Sequence, residues 1–370
     1  MLPLEDFGQG TRNREFTTVL PPSSAGHDES SPPTLLHGTL SGLLWFAGKA
    51  VLGFVAFILF LAGAGAAYET IASRQDAVRY PPPGRLVDVG GYRLHVQCAG
   101  QGSPTVLMDA GGGGFSSHWS LVQPDVARVT RVCAWDRAGS GWSDLANHAH
   151  TPQAYTDELH ALLLAVDIAG PYVLVAHSYG GRVARLYTSQ YPEDVVGLVL
   201  VDAVHEDAFV AADAPSAAQL QMFAGANWIL SRLGVGRLLG PSFLLLFDPV
   251  GAQLPEATRE LIGVLVLRPN NVEGNARLAA GQMLDDDRLR SAGTLGARPL
   301  VVLTSTEQLA QVGRWSAAQQ KLSALSSNST QIVADGSHLI AWQHPDLVVS
   351  AIERVLAASA HPALRVAEGV

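Results

Sequence analysis

The longest apolar stretch lies in SGLLWFAGKAVLGFVAFILFLAGAGAAYETIASR, where Ala50 to Tyr68 runs 19 residues without a charge. As a helix this run is long enough to cross a hydrocarbon core of roughly 30 Å. Trp45 before it and Tyr68 at its end suit the two interfaces. The pattern predicts a transmembrane anchor region over residues 38–70. A buried core helix fits poorly because the run is apolar on every face. A cleaved signal peptide fits poorly because the run is long and starts far from the first residue. Residues 1–37 are rich in Pro, Ser and small polar residues, lack an apolar period, and read as a disordered tail. Residues 71–84, ending in YPPPG, read as a linker that stiffens at its prolines.

From residue 85 the pattern changes to short apolar runs separated by glycine loops. RLVDVGGYRLHVQC is two alternating runs joined by Gly90-Gly91, the signature of a β-hairpin. PTVLMDAGGGG and TRVCAWDRAGSGWSD are each an apolar strand entering a glycine loop. TPQAYTDELHALLLAV has helical spacing, with Thr151 as N-cap and Pro152 at the first helical position. PYVLVAHS (strand), YGGRVARLYTSQY (helix) and VVGLVLVDA (strand) follow. RPLVVLTS and STQIVADGSHL are further strands, and PDLVVSAIERVLAAS is a closing helix. Strands alternating with helices predict a mostly parallel α/β sheet covered on both faces. Residues 204–296 break the alternation with helical, apolar segments and the charged patch LDDDRLR. A second independent domain is one reading. The return to the sheet favours a helical cap inserted into a core formed by 85–203 and 297–358, with 359–370 as a C-terminal tail.

The 370 residues are 48% hydrophobic and 15% charged, ample for one large core. A net charge of −9 without a basic run argues against a nucleic-acid partner. No Cys/His run has metal-ligand spacing, so no metal is expected. By count alone, Cys98 and Cys133 read as buried free thiols. Lys49 precedes the apolar run, whereas Arg74, Arg79 and Arg85 follow it. By the positive-inside rule that asymmetry puts the large domain in the cytoplasm.

Ala176-His177-Ser178-Tyr179-Gly180-Gly181 places a serine between small residues, after an apolar strand and before a helix. A serine on so sharp a turn presents its hydroxyl, provided that the residues two either side are small. Ser178 is therefore the candidate nucleophile. Serine is a weak nucleophile until a base removes its proton. His338, after the last strand and before the closing helix, is the candidate base; His344, beside Pro345, reads as a helix-start residue, and His177 as a packed or pocket-wall residue. The base needs a carboxylate to hold its tautomer. Asp202, ending the strand after the serine's own, is preferred; Glu307, after the next strand, and Asp207 remain open. In DAGGGGF, Gly112 is the candidate oxyanion donor, paired with the backbone N–H of Tyr179. DRAGSGWSD reads as architectural, shaping the loop beside the site.

Taken in order, DAGGGG, DRAGSGWSD, AHSYGG, LVLVDA and DGSHL resemble the α/β-hydrolase fold superfamily, in its esterase- and lipase-like group with a helical cap. The resemblance spans roughly residues 85–358. It implies an eight-stranded, mostly parallel sheet, Ser178 as nucleophile, His338 as base, and an acid after either of two strands, the positions of Asp202 and Glu307. It also implies that the second strand runs antiparallel beside the fourth, which brings Cys98 near Cys133. A bond there implies an oxidising compartment and an extracytoplasmic domain, opposite to the arginine count. The expectation is a single-pass, membrane-anchored serine hydrolase acting on a small lipophilic ester without a cofactor. A cofactor-free haloperoxidase-like enzyme, a C–C bond hydrolase and a silent ligand-binding scaffold are the alternatives.

Overall fold

The structure is a computed structural model that describes residues 35–208, 217–240, 249–281 and 284–360. The expected N-terminal tail up to residue 34, the C-terminal tail from 361, and residues 209–216, 241–248 and 282–283 of the inserted segment lie outside the described residues. The chain divides into two units, Met1–Ile58 and Leu59–Val370. The described part of the first is helical, and its large apolar side chains, from Leu43 to Ile58, are exposed. They belong to helix α1 (Leu35–Arg79), whose stretch from Gly42 onwards has a mean hydropathy of 2.3 in its most apolar window and is long enough to cross a membrane. The helix takes in residues 71–79, which the pattern assigns to the linker. TIASRQDAVR holds no Gly or Pro, so nothing stops the helix before Pro81.

In the second unit, eight strands form one sheet in the order β1-β2-β4-β3-β5-β6-β7-β8. These are β1 (Arg85–Asp88), β2 (Arg93–Ala99), β3 (Thr105–Asp109), β4 (Val132–Asp136), β5 (Tyr172–His177), β6 (Val195–Val201), β7 (Leu300–Ser305) and β8 (Ser329–Ala334). The β1–β2 and β2–β4 pairs are antiparallel and all others parallel. In β5, Leu174 and Ala176 enter one apolar layer while Val173 and Val175 enter the other, as the period of two requires. Helices α2 (Pro152–Ala165) and α3 (Gly180–Gln190) cover the first layer. Thr151 caps α2 by accepting from the Ala154 N–H at 3.2 Å.

Between β6 and β7 the described residues are helical, with α4 (Ala217–Arg232), α5 (Glu256–Val266) and α6 (Pro269–Gly281) as the longest elements. After β8 the chain closes with α7 (Pro345–Ser359), which packs on the second apolar layer.

Cys98 on β2 stands opposite Cys133 on β4, and the two are joined by a disulfide. The reading of two free thiols is thereby corrected. Its cause is long-range register, which residue counts do not carry. The bridge closes a separation of 35 residues, so by loop-closure entropy it contributes about 4 kcal/mol. Cys98 is exposed and accessible to reductant. Adding dithiothreitol is expected to lower the unfolding free energy read from urea denaturation by that margin, and Cys98→Ser/Cys133→Ser to reproduce the loss without reductant.

Candidate active site

Ser178 occupies the single residue between β5 and Tyr179, which caps α3. Its φ is +51°, a left-handed conformation that costs a non-glycine residue on the order of 1–3 kcal/mol. Surrounding bonds enforce it. The Ser178 N–H donates to the Val201 carbonyl at 3.0 Å, and the Ser178 carbonyl accepts from Val204 at 2.9 Å and Gly181 at 3.1 Å. The small neighbours have concrete causes. A Cβ on Gly180 would lie 2.9 Å from the carbonyl oxygens of Asp109 and Ala110, and one on Gly181 would lie 2.5 Å from Ala203 Cβ.

His338 follows β8 in the loop before the short helix Ile340–Gln343. Its Nε2 lies 2.8 Å from Ser178 Oγ and its Nδ1 2.7 Å from Asp202 Oδ2. With a carboxylate at Nδ1, the neutral ring carries its proton there, and Nε2 accepts from the serine hydroxyl. Asp202 itself is fully buried, one residue past β6. Four donors surround it: the Ser305 N–H at 3.1 Å and Trp315 Nε1 at 2.8 Å on Oδ1, with Ser305 Oγ at 2.5 Å and the His338 ring on Oδ2. A buried carboxylate persists only with such partners.

The competing residues sit elsewhere. Glu307 accepts from the backbone N–H of His338 at 3.1 Å, so it holds the loop and not the ring. Asp207 pairs with Lys321 at 2.5 Å. His344 caps α7, and its Nε2 bonds the Asp335 carbonyl. His177 is buried beside His338, its Nε2 donating to the His338 carbonyl at 2.9 Å. Burial, reinforced by the neighbouring His338, holds His177 well below the usual histidine range, so it remains a neutral donor.

Gly112 and Tyr179 are brought together. A Cβ at Gly112 would sit 3.9 Å from Tyr179 Cβ and 3.5 Å from Leu278 of α6. Arg137, fully buried in DRAGSG, pins this loop. Its Nη2 donates to the carbonyls of Ala110, at 2.8 Å, and Gly111, while its guanidinium stands 5.2 Å from the rings of Tyr155 and Tyr179. The two carbonyls are thereby held by Arg137, which fixes the loop. Asp109, 3.6 Å from Arg137, is pushed up to about 6 by burial, against the guanidinium's pull.

Sequence reasoning misses Ser305 and Trp315 as supports of Asp202, and the detail of Arg137. Ser305 carries a usable signal, since it caps the helix Thr306–Gln311 by accepting from the Gln308 N–H. An arginine inside an apolar glycine stretch is another. Trp315 carries none. Among the described residues no group of three or more His, Cys, Asp or Glu side chains is placed to hold a metal.

The sheet order and the serine turn define an α/β hydrolase. The profile of the Alpha/beta hydrolase family matches residues 106–351, more than half of the chain, and the chain belongs to that family. An uncharacterized protein of Schizosaccharomyces pombe is 32% identical over 194 residues, 44% of this chain and 35% of that protein. The 2-hydroxy-6-oxo-2,4-heptadienoate hydrolase of Pseudomonas putida is 31% identical over 124 residues, 33% of this chain and 45% of that one. The matches span less than half the length of these curated relatives. A thermophilic esterase from Thermogutta terrifontis superposes with a TM-score of 0.56 at 21% identity, over 74% of this chain and 97% of its own. The epoxide hydrolase CorEH does so with a TM-score of 0.59 at 19% identity, over the same shares.

Proposed function

We propose that this chain is a membrane-anchored serine hydrolase that cleaves a lipophilic carboxylic ester through an acyl-enzyme. The observation that carries the reading is the unbroken relay from Ser178 Oγ to His338 Nε2, and from His338 Nδ1 to Asp202. Ser178 Oγ attacks the ester carbonyl carbon as His338 Nε2 takes its proton. Asp202 holds the Nδ1–H and stabilises the imidazolium that forms. The N–H groups of Gly112 and Tyr179 receive the developing oxyanion. The alcohol leaves with the proton from His338. Water then attacks the acyl carbon, giving a proton to His338, and the acid departs as that proton returns to Ser178. Each step balances without a cofactor.

The helices between β6 and β7 act as the cap. Leu278 of α6, beside Gly112, supports an apolar wall for the acyl chain. α1 serves as the anchor. The Cys98–Cys133 bridge supports an extracytoplasmic catalytic domain, since such bonds persist where thiols are not kept reduced. A second reading, C–C bond hydrolysis, is favoured by the likeness to the Pseudomonas putida enzyme.

The test is covalent labelling. The full chain in detergent is expected to hydrolyse p-nitrophenyl esters of short and medium chain length, and a fluorophosphonate to abolish that activity while modifying Ser178. Labelling with turnover confined to a 2-hydroxy-6-oxo-dienoate selects the second reading. A chain that is neither labelled nor active on either substrate is a scaffold.

A further inference from the structure

The helices inserted between β6 and β7 carry apolar residues that the fold leaves uncovered. On α4, Met222, Phe223, Ile229 and Leu230 are exposed, with Met222 and Phe223 at 73% and 70%. Their spacing of i, i+1, i+7 and i+8 puts them on one face. Trp228, partly exposed, reaches α6 by donating from Nε1 to Glu273 Oε2 at 3.2 Å, and Ser231 is buried. An exposed apolar face of this size on a water-facing helix is a liability unless something covers it.

The same helix is fastened to the end of the long apolar run. A Cβ on Gly65 would lie 2.5 Å from the Leu233 carbonyl oxygen, and one on Gly234 would lie 3.0 Å from the Tyr68 ring. α4 ends at Arg232, so its C-terminus meets α1 within the final turn of the uncharged stretch. One turn further along α1 the contact becomes ionic. Arg237, in the helix Val235–Leu239, donates to Glu69 Oε2 at 2.6 Å and to Ser73 Oγ at 3.1 Å, and pairs with Asp76. Its side chain is 9% exposed and that of Glu69 5%, so this is a built joint. Along one helix, the contacts pass from apolar at Gly65 and Tyr68 to ionic at Glu69 and Asp76, the order in which a bilayer passes from hydrocarbon to headgroup.

We propose that the exposed face of α4 is a lipid-docking surface, laid into the same bilayer that α1 crosses and held at that depth by the Gly65–Leu233 and Arg237–Glu69 contacts. The occupant is the hydrocarbon edge of a phospholipid bilayer. Among the described residues α6 links this face to Gly112: α4 packs on α6, and α6 brings Leu278 against the glycine loop. A lipophilic substrate dissolved in the bilayer thus reaches the site without crossing water. That consequence rests on the serine hydrolase reading, whereas the docking itself rests on α1 as the membrane anchor.

Both cysteines of the chain are bonded to each other, so a single introduced cysteine is a unique label site. The full chain carrying Phe223→Cys or Leu230→Cys, spin-labelled and placed in phosphatidylcholine vesicles with a minority of phosphatidylglycerol, is expected to be relaxed by oxygen more than by a water-soluble nickel complex. Val129→Cys, at an exposed position just before β4, is expected to show the reverse order. Labels at 223 and 230 that behave like the one at 129 overturn the proposal. Labels shielded from both relaxants and broadened by each other also overturn it, by giving the face to a second copy of the chain. The second readout is activity. Phe223→Asp/Leu230→Asp is expected to lower turnover of a long-chain ester held in vesicles about tenfold relative to its effect on a soluble short-chain ester. Equal effects on the two substrates refute the delivery role. If the wild type cleaves no ester at all, the hydrolase reading fails, while the labels still report where α4 lies.

Discussion

Asp202→Asn is expected to lower kcat for p-nitrophenyl ester hydrolysis on the order of 10⁴-fold, while Glu307→Gln costs less than about tenfold. The asymmetry follows from which atom of His338 each carboxylate meets. Asp202 Oδ2 faces the ring Nδ1 at 2.7 Å, so an amide there can present its NH2 group, and the ring must take its proton at Nε2. A ring protonated at Nε2 donates toward Ser178 and cannot accept its proton. Glu307 Oε2 instead accepts from the backbone N–H of His338 at 3.1 Å, and a glutamine oxygen can accept the same bond. Ser178→Ala sets the floor, with a loss on the order of 10⁶ where the three residues act as one unit. Steady-state kinetics on the full chain, with thermal unfolding to confirm that each variant is folded, read all three. A Glu307→Gln loss as deep as that of Asp202→Asn would reassign the acid.

The choice between those two carboxylates shows where sequence reading stops. Both follow adjacent strands, β6 and β7, so the linear pattern treats them alike. What separates them is side-chain reach after folding. Asp202 also carries a φ of +44° and a ring of donors from Ser305 and Trp315, 103 and 113 positions along the chain. Ser178 is legible because its constraints are local: a strand before, a helix after, and small residues within three positions. The sheet is legible for the same reason, since most strands are short apolar runs and β1 to β5 and β8 are followed within a few residues by glycine. Cys98 and Cys133 lie between these cases, because their pairing depends on β2 lying beside β4, which the family's strand order implies and neither local segment states. The Arg237–Glu69 joint spans 168 positions and leaves no local trace. For the same reason, composition alone marks the inserted helices as apolar without saying which face stays bare.

The last expected result compares two glycines near Tyr179, Gly180 at the start of α3 and Gly112 in the glycine loop, which differ in what surrounds them. Gly180→Ala is expected to lower kcat/KM by about 10²–10³, the scale of losing one oxyanion donor. Its new Cβ would stand 2.9 Å from the carbonyl oxygens of Asp109 and Ala110, closer than Cβ atoms approach backbone. Arg137 holds the Ala110 and Gly111 carbonyls by hydrogen bonds, so a shift of these carbonyls strains those bonds as well. The crowding is relieved by moving the loop away from Tyr179, which opens the gap between the Gly112 and Tyr179 N–H groups. Gly112→Ala is expected to stay within about threefold, since its Cβ would meet Leu278 at 3.5 Å and Tyr179 Cβ at 3.9 Å, ordinary contact distances. The donor there is the backbone, which alanine keeps. The pair separates an oxyanion role from mere crowding: kcat/KM on a small acetate ester, measured beside thermal unfolding, should fall for Gly180→Ala at temperatures where the variant remains folded. Equal losses for both variants would mean that the side chain at 112, and not its N–H, governs the site.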